Sequence, residues 1–123
     1  MKNIFGWVEI PATDFQRSKK FYETILDIQI QEMDFQNFKM GFFPDYNKDI
    51  VSGAIVHGEG YKPSTDGLLV YINCNPDLQD VLDRVEKAGG QVTQPKTQIS
   101  PEYGYMALII DTEGNRLGIH SQN

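Results

Sequence analysis

Tyr105-Met-Ala-Leu-Ile-Ile110-Asp-Thr-Glu-Gly-Asn115-Arg-Leu-Gly-Ile-His120 reads as two β-prone runs around a turn. The apolar run Met106 to Ile110 ends at Asp111, whose carboxylate can accept from backbone N–H groups two residues on. Gly114 and Asn115 tolerate positive φ, so the chain can reverse here. Turn chemistry between two such runs predicts a hairpin. The hairpin is decisive because of what precedes it: the same order of elements runs twice.

Working backwards from the hairpin, Gln91 to Gln94 and Thr97 to Ile99 form a weak strand region punctuated by Pro95 and Pro101. Before it, Leu78 to Ala88 is amphipathic through Leu78, Val81, Leu82, Val85 and Ala88. Asn75-Pro76-Asp77 supplies its start and Gly89-Gly90 its stop. Leu68 to Cys74 alternates as a strand. In the first half, Ile4 to Ile10 is a strand ended by Pro11. Thr13 or Asp14 can cap a helix over Phe15 to Leu26, whose apolar face is Phe15, Phe21, Tyr22, Ile25 and Leu26. Three strand candidates follow, Ile28 to Met33, Phe38 to Phe43 and Ile50 to His57. Phe35 to Asn37 forms a turn and Pro44 to Asp49 a loop. Gly58 to Gly67 is rich in breakers and reads as a linker.

Each half therefore reads strand, helix, then three strands, as modules of about 1–60 and 67–123 joined through 61–66. A βαβββ unit of this size cannot bury both its helix and its sheet alone, which predicts that the two associate within one domain. The fold class is α+β.

Composition narrows the function. The chain has 123 residues with a formal net charge of −6, which opposes the broad basic footprint that nucleic-acid binding needs. Lys19, Lys20 and Arg17 read as a solvated helix face. The single cysteine, Cys74, rules out an internal disulfide and reads as a small buried hydrophobe. No apolar run approaches the ~20 residues a membrane span requires, and the N-terminus lacks a secretory signal's apolar core. A cytoplasmic protein is the expectation. No phosphate loop and no Ser-His-Asp or Cys-His arrangement is present.

Four stretches together resemble the vicinal-oxygen-chelate superfamily of glyoxalase I, bleomycin-resistance proteins and extradiol dioxygenases. They are Glu9-Ile-Pro-Ala-Thr-Asp-Phe-Gln-Arg-Ser-Lys-Lys-Phe-Tyr22, Gly67-Leu-Leu-Val-Tyr-Ile-Asn73 with Asp77-Leu-Gln-Asp-Val-Leu82, Lys87-Ala-Gly-Gly90, and Asp111-Thr-Glu-Gly-Asn115. The resemblance implies two βαβββ modules whose mixed sheets curl around a cavity, commonly in a homodimer.

Metal-dependent members of that superfamily place His, Gln or Glu on the first and last strands of each module, where a cation polarises substrate oxygens. Carried over, the first strand offers Phe5, Trp7 and Glu9, and the strand opening the second half offers Leu69, Tyr71 and Asn73. The usual glutamate position, three residues after Asn115, falls on Gly118, with His120 on the same face. The fourth strand offers either Gly53, Ile55 and His57 or Ser52, Ala54 and Val56.

The leading expectation is a small-molecule binding protein without the superfamily's metal site, holding an apolar or aromatic ligand, with no metal cofactor. Its ligand-binding residues are Trp7, Glu9, His57, Leu69, Tyr71, Tyr105 and His120. Trp7, Tyr71 and Tyr105 would form an aromatic wall. Glu9 would be a general base or polar anchor, and His120 a proton donor or ligand contact. The alternative is a divalent-metal lyase or isomerase of the glyoxalase type, with Glu9 as base and His120 as metal ligand or acid.

Overall fold

The structure, a computed structural model, describes residues 3–45 and 50–123. Residues 46–49, most of the loop expected before the fourth strand, lie outside the described residues, as do Met1 and Lys2 at the N-terminus. The described residues form β1 (Trp7–Pro11), α1 (Phe15–Leu26), β2 (Gln31–Phe35), β3 (Phe38–Phe42), β4 (Ser52–His57), β5 (Tyr71–Asn73), α2 (Leu78–Val85), β6 (Gln91–Ser100), β7 (Gly104–Ile110) and β8 (Arg116–Ser121).

The first sheet has the order β1-β4-β3-β2 and the second the order β5-β8-β7-β6. In both, the first strand runs parallel to the last and the remaining pairs are antiparallel. Adding four to each strand number converts one order into the other, so the duplication is present in the topology. The fold is α+β, two βαβββ modules. The two sheets stay separate and open, and β1 and β5 each keep one unpaired edge.

Local chemistry sets the element boundaries. Asp14 caps α1 by accepting from the Arg17 N–H, and Asp27 ends it in the left-handed region at φ 53°. Asp77 caps α2 through the Gln79 N–H. This helix closes at Val85, three residues before the expected Ala88, and Gly89 turns the chain at φ 104°. Pro11 is the last residue of β1 and not its terminator. β1 is an edge strand, where a missing N–H need not break a ladder. The two weak segments expected around Pro95 are one bulged edge strand, β6, for the same reason.

A single apolar core runs through both modules. It joins Phe21, Tyr22 and Ile25 of α1, Leu78, Leu82 and Val85 of α2, Ile10 and Ile55 of the first sheet, and Ala107, Ile109, Leu117 and Ile119 of the second. The helices pack on each other as well as on their sheets. With one face of each sheet sealed by helices, the opposite face is left open.

Candidate functional site

Side chains alternate along a strand, so Val8 and Ile10 turn to the helices while Trp7 and Glu9 face the open side. Register extends that face. Trp7 lies opposite Ser52 and Glu9 opposite Ala54, and Ala54 in turn lies opposite Phe42 and Val56 opposite Met40. Ser52, Ala54 and Val56 are therefore the open-facing set of β4. Cross-strand pairs Met33–Met40 and Phe35–Phe38 complete the surface. All of these except Ser52 and Ala54, together with Tyr61, line a cavity of about 340 Å³ whose wall is almost wholly aromatic, methionine and valine, with Glu9 the one carboxylate among the described residues.

Glu9 is oriented by two neutral donors. The Trp7 indole Nε1–H donates to Oε2 at 3.3 Å, and the Tyr61 hydroxyl donates to Oε1 at 2.5 Å. Tyr61 comes from the linker between modules, and its ring stands edge-on to Phe38 with centroids 5.5 Å apart. The hydrogen bond to Glu9, helped by burial and the carboxylate's charge, raises the Tyr61 phenol above its usual value. A tilted Trp7–Phe42 contact at 5.9 Å fixes the other side.

A second cavity, of about 640 Å³, lies between β1 and the segment entering β5. Trp7 and Glu9 line both. Here they meet Leu69 and Tyr71, so four of the seven residues expected from sequence share one space. The cations Lys62 and Arg116 and the carboxylate of Asp66 also border it. Tyr71 lies over Gly118, where an added Cβ would come within 2.3 Å of the tyrosine ring.

The structure places the other three elsewhere. His57 shares the helix-facing side of β4, opposite Lys39, and its Nδ1 donates to the Ala12 carbonyl at 2.9 Å. Tyr105 lies opposite Ser121 on the helix side of β7, packed against the core with the Lys96 ammonium 4.6 Å from its ring centre. His120 is on the open face of the second sheet, paired with Asn73 and Met106, but its Nε2 donates to the Tyr103 carbonyl at 2.6 Å. None of the three lines either cavity, and Glu9 and His120 stand on different sheets with different partners.

Sequence reasoning missed Met33, Phe35, Phe38, Met40, Phe42 and Tyr61. Alternation in Phe38-Lys-Met-Gly-Phe42 carried the signal for a two-faced strand. Nothing local placed the Tyr61 ring.

A divalent cation needs three or more converging N, O or S donors. The superfamily's positions here hold Trp7 or Glu9, the Ser52–Ala54–Val56 set, Tyr71 and a Gly118 covered by that tyrosine. Among the described residues, no group of three His, Cys, Asp or Glu side chains is placed to hold a metal. The residues present do not fit the cation of the metal-dependent members.

Fold and site together define a class: duplicated βαβββ proteins with one open face on each sheet. The family model of the Glyoxalase/Bleomycin resistance protein/Dioxygenase superfamily matches residues 4–119, and the chain belongs to that superfamily. A glyoxalase/bleomycin resistance protein from Albidiferax ferrireducens superposes with a TM-score of 0.76 at 16% identity, over 98% of this chain and 100% of that one. A family enzyme from Burkholderia phytofirmans gives 0.69 at 16% identity, over 96% and 98%. Glyoxalase I from Zea mays gives 0.71 at 18% identity, over 94% of this chain but 45% of the maize chain. The chain thus spans under half the length of the maize protein, and at these identities the likeness is one of fold. No curated protein matches by sequence. Among the described residues, no helix is long and apolar enough to cross a membrane.

Proposed function

We propose that this protein binds a small apolar or aromatic molecule against the open face of its first sheet, with Glu9 as the polar anchor. One observation carries the reading. Trp7, Met33 and Phe35 remain 47%, 44% and 51% exposed on a single concave surface that already holds Phe38, Met40 and Phe42. Scattered exposed apolar groups are ordinary, but a contiguous concave patch around one oriented polar group is the usual form of a ligand site. Glu9 and Trp7 also border the larger crevice, so Leu69 and Tyr71 would contact a ligand that extends toward the second module.

Trp7 is the only tryptophan, so its emission reports on the site directly. Native mass spectrometry of the purified protein, followed by titration with a neutral aromatic such as benzyl alcohol, tests the reading. A saturable change in Trp7 emission that Phe38→Ala and Met40→Ala weaken supports it. Emission indifferent to every aromatic probe would remove it. A homodimer, which the superfamily resemblance implies, belongs to the same proposal. Leu68, 96% exposed, and Phe5, 76% exposed, border the crevice and offer apolar surface to a second copy. Sedimentation at micromolar concentration checks that point.

A further inference from the structure

We infer that the ligand of this face is an organic ammonium ion, its cationic nitrogen beside Glu9 and its aryl or alkyl body against Trp7 and the Phe38–Met40–Phe42 row. The inference rests on the binding reading above and adds a charge to it.

Three observations carry the charge. Among the described residues, Glu9 is the only acidic or basic side chain lining the aromatic cavity, and no Lys, Arg or His nitrogen lies within ion-pair distance of it. Its two partners among the described residues are the neutral donors Trp7 and Tyr61, which bring no positive charge to it. A carboxylate offers about four acceptor sites, so roughly two remain for an N–H from a protonated amine.

The rings supply the second half of the recognition. Trp7 and Tyr61 are each tied to Glu9 by a hydrogen bond, which holds both rings beside the carboxylate. An ammonium seated there pairs with the anion while its aryl or alkyl body lies against the rings that line the cavity. Cation–π attraction is strongest for tryptophan and grows as the cation is desolvated. A neutral ligand would gain buried area and at most an uncharged hydrogen bond to Glu9, and an anionic one would be repelled by Glu9. Lys62 and Arg116 border the larger crevice with Asp66, and neither lines the aromatic cavity. The formal net charge of −6 favours the approach of a cation at low salt.

The test titrates Trp7 emission near neutral pH with benzylammonium, benzyl alcohol and benzoate, in the wild type and in Glu9→Gln. The cation is expected to bind roughly tenfold more tightly than the alcohol, with benzoate weakest. In Glu9→Gln the cation and the alcohol should fall within about twofold of each other. A wild-type reading needs no variant: added NaCl should weaken the cation and leave the alcohol unchanged. Equal binding of cation and alcohol, or a preference that survives both Glu9→Gln and high salt, overturns the charge assignment and leaves the binding reading standing. If none of the three probes binds, both readings fall.

Discussion

The Tyr22 hydroxyl, on α1 of the first module, donates to Oδ2 of Asp111, at the β7–β8 turn of the second, across 2.6 Å. Both residues are buried. Asp111 also accepts from the Glu113 and Asn115 N–H groups and from Asn115 Nδ2. Asn115 Nδ2 reaches the Pro11 carbonyl in β1 as well, and Glu113 accepts from the Asp14 N–H and from Arg17. The turn that reverses the last hairpin is therefore also the clamp between the modules.

Tyr22→Phe removes one donor and leaves Asp111 three others, so it should destabilise the fold by about 1 to 2 kcal/mol in urea unfolding. Asp111→Ala strands buried donors and should cost about 3 kcal/mol or more. A Tyr22→Phe loss as large as the Asp111→Ala loss would mean that Asp111 is not shared as described.

Alkaline pH should act on the same contact. Burial, then the charge of Asp111 and the hydrogen bond to it, raises the Tyr22 phenol well above its ordinary 10.0. The unfolded chain ionises first and so binds fewer protons than the native one. Stability is then complete below pH 10 and falls above it, by up to about 1.4 kcal/mol per pH unit. The Cys74 thiol, pushed by burial to about 11, adds the same sign of loss from pH 9 upward. Urea midpoints from pH 8 to 11 should fall for the wild type and fall less for Tyr22→Phe.

Acid works through Glu113. Burial opposes its ionisation, but hydrogen bonds from Arg17, the Asp14 N–H and Thr112 outweigh burial and hold the carboxyl below 4.5. A depressed carboxyl contributes stability above its unfolded value and loses it as pH falls through the folded one. Glu113→Gln should lower the unfolding midpoint at pH 7 and should converge with the wild type by about pH 3. Parallel curves over that range would rule this out.

Gly53→Ala tests the first sheet. An added Cβ would sit 2.1 Å from the Val8 carbonyl oxygen, a backbone atom that moves only if β1 and β4 part. The cost should be about 3 kcal/mol or more, with a shift in Trp7 emission because Trp7 rides on β1. Gly6→Ala, with nothing within 4 Å of the new Cβ, should stay within about 0.5 kcal/mol of the wild type.

Local chemistry made much of the fold legible. The α1 bounds Phe15–Leu26 follow from the apolar spacing and the Asp27 break, and β7 follows from the turn chemistry at Asp111. The strand order of each sheet is not contained in periodicity and comes from the observed pairing. The site was half legible. Alternation puts Trp7 and Glu9 on one face wherever β1 lies. On β4, a single-residue change of register exchanges Val56 for His57, and only the pairing with β1 and β3 decides between them. Tyr105, expected in an aromatic wall with Trp7 and Tyr71, lies on the helix side of β7 opposite Ser121, which alternation alone does not reveal. Tyr61 reaches Glu9 through the path of the linker at a sequence separation of 52, a relationship that no window of sequence contains.

The tyrosine ring over Gly118 constrains descent as well as structure. A carboxylate at position 118 and the ring of Tyr71 compete for one volume, so a lineage acquiring glutamate there must first move or replace the tyrosine. The order of substitutions is then not free. An ancestor that changed position 118 first would meet a crowded intermediate, whereas one that changed position 71 first would pass through an open one.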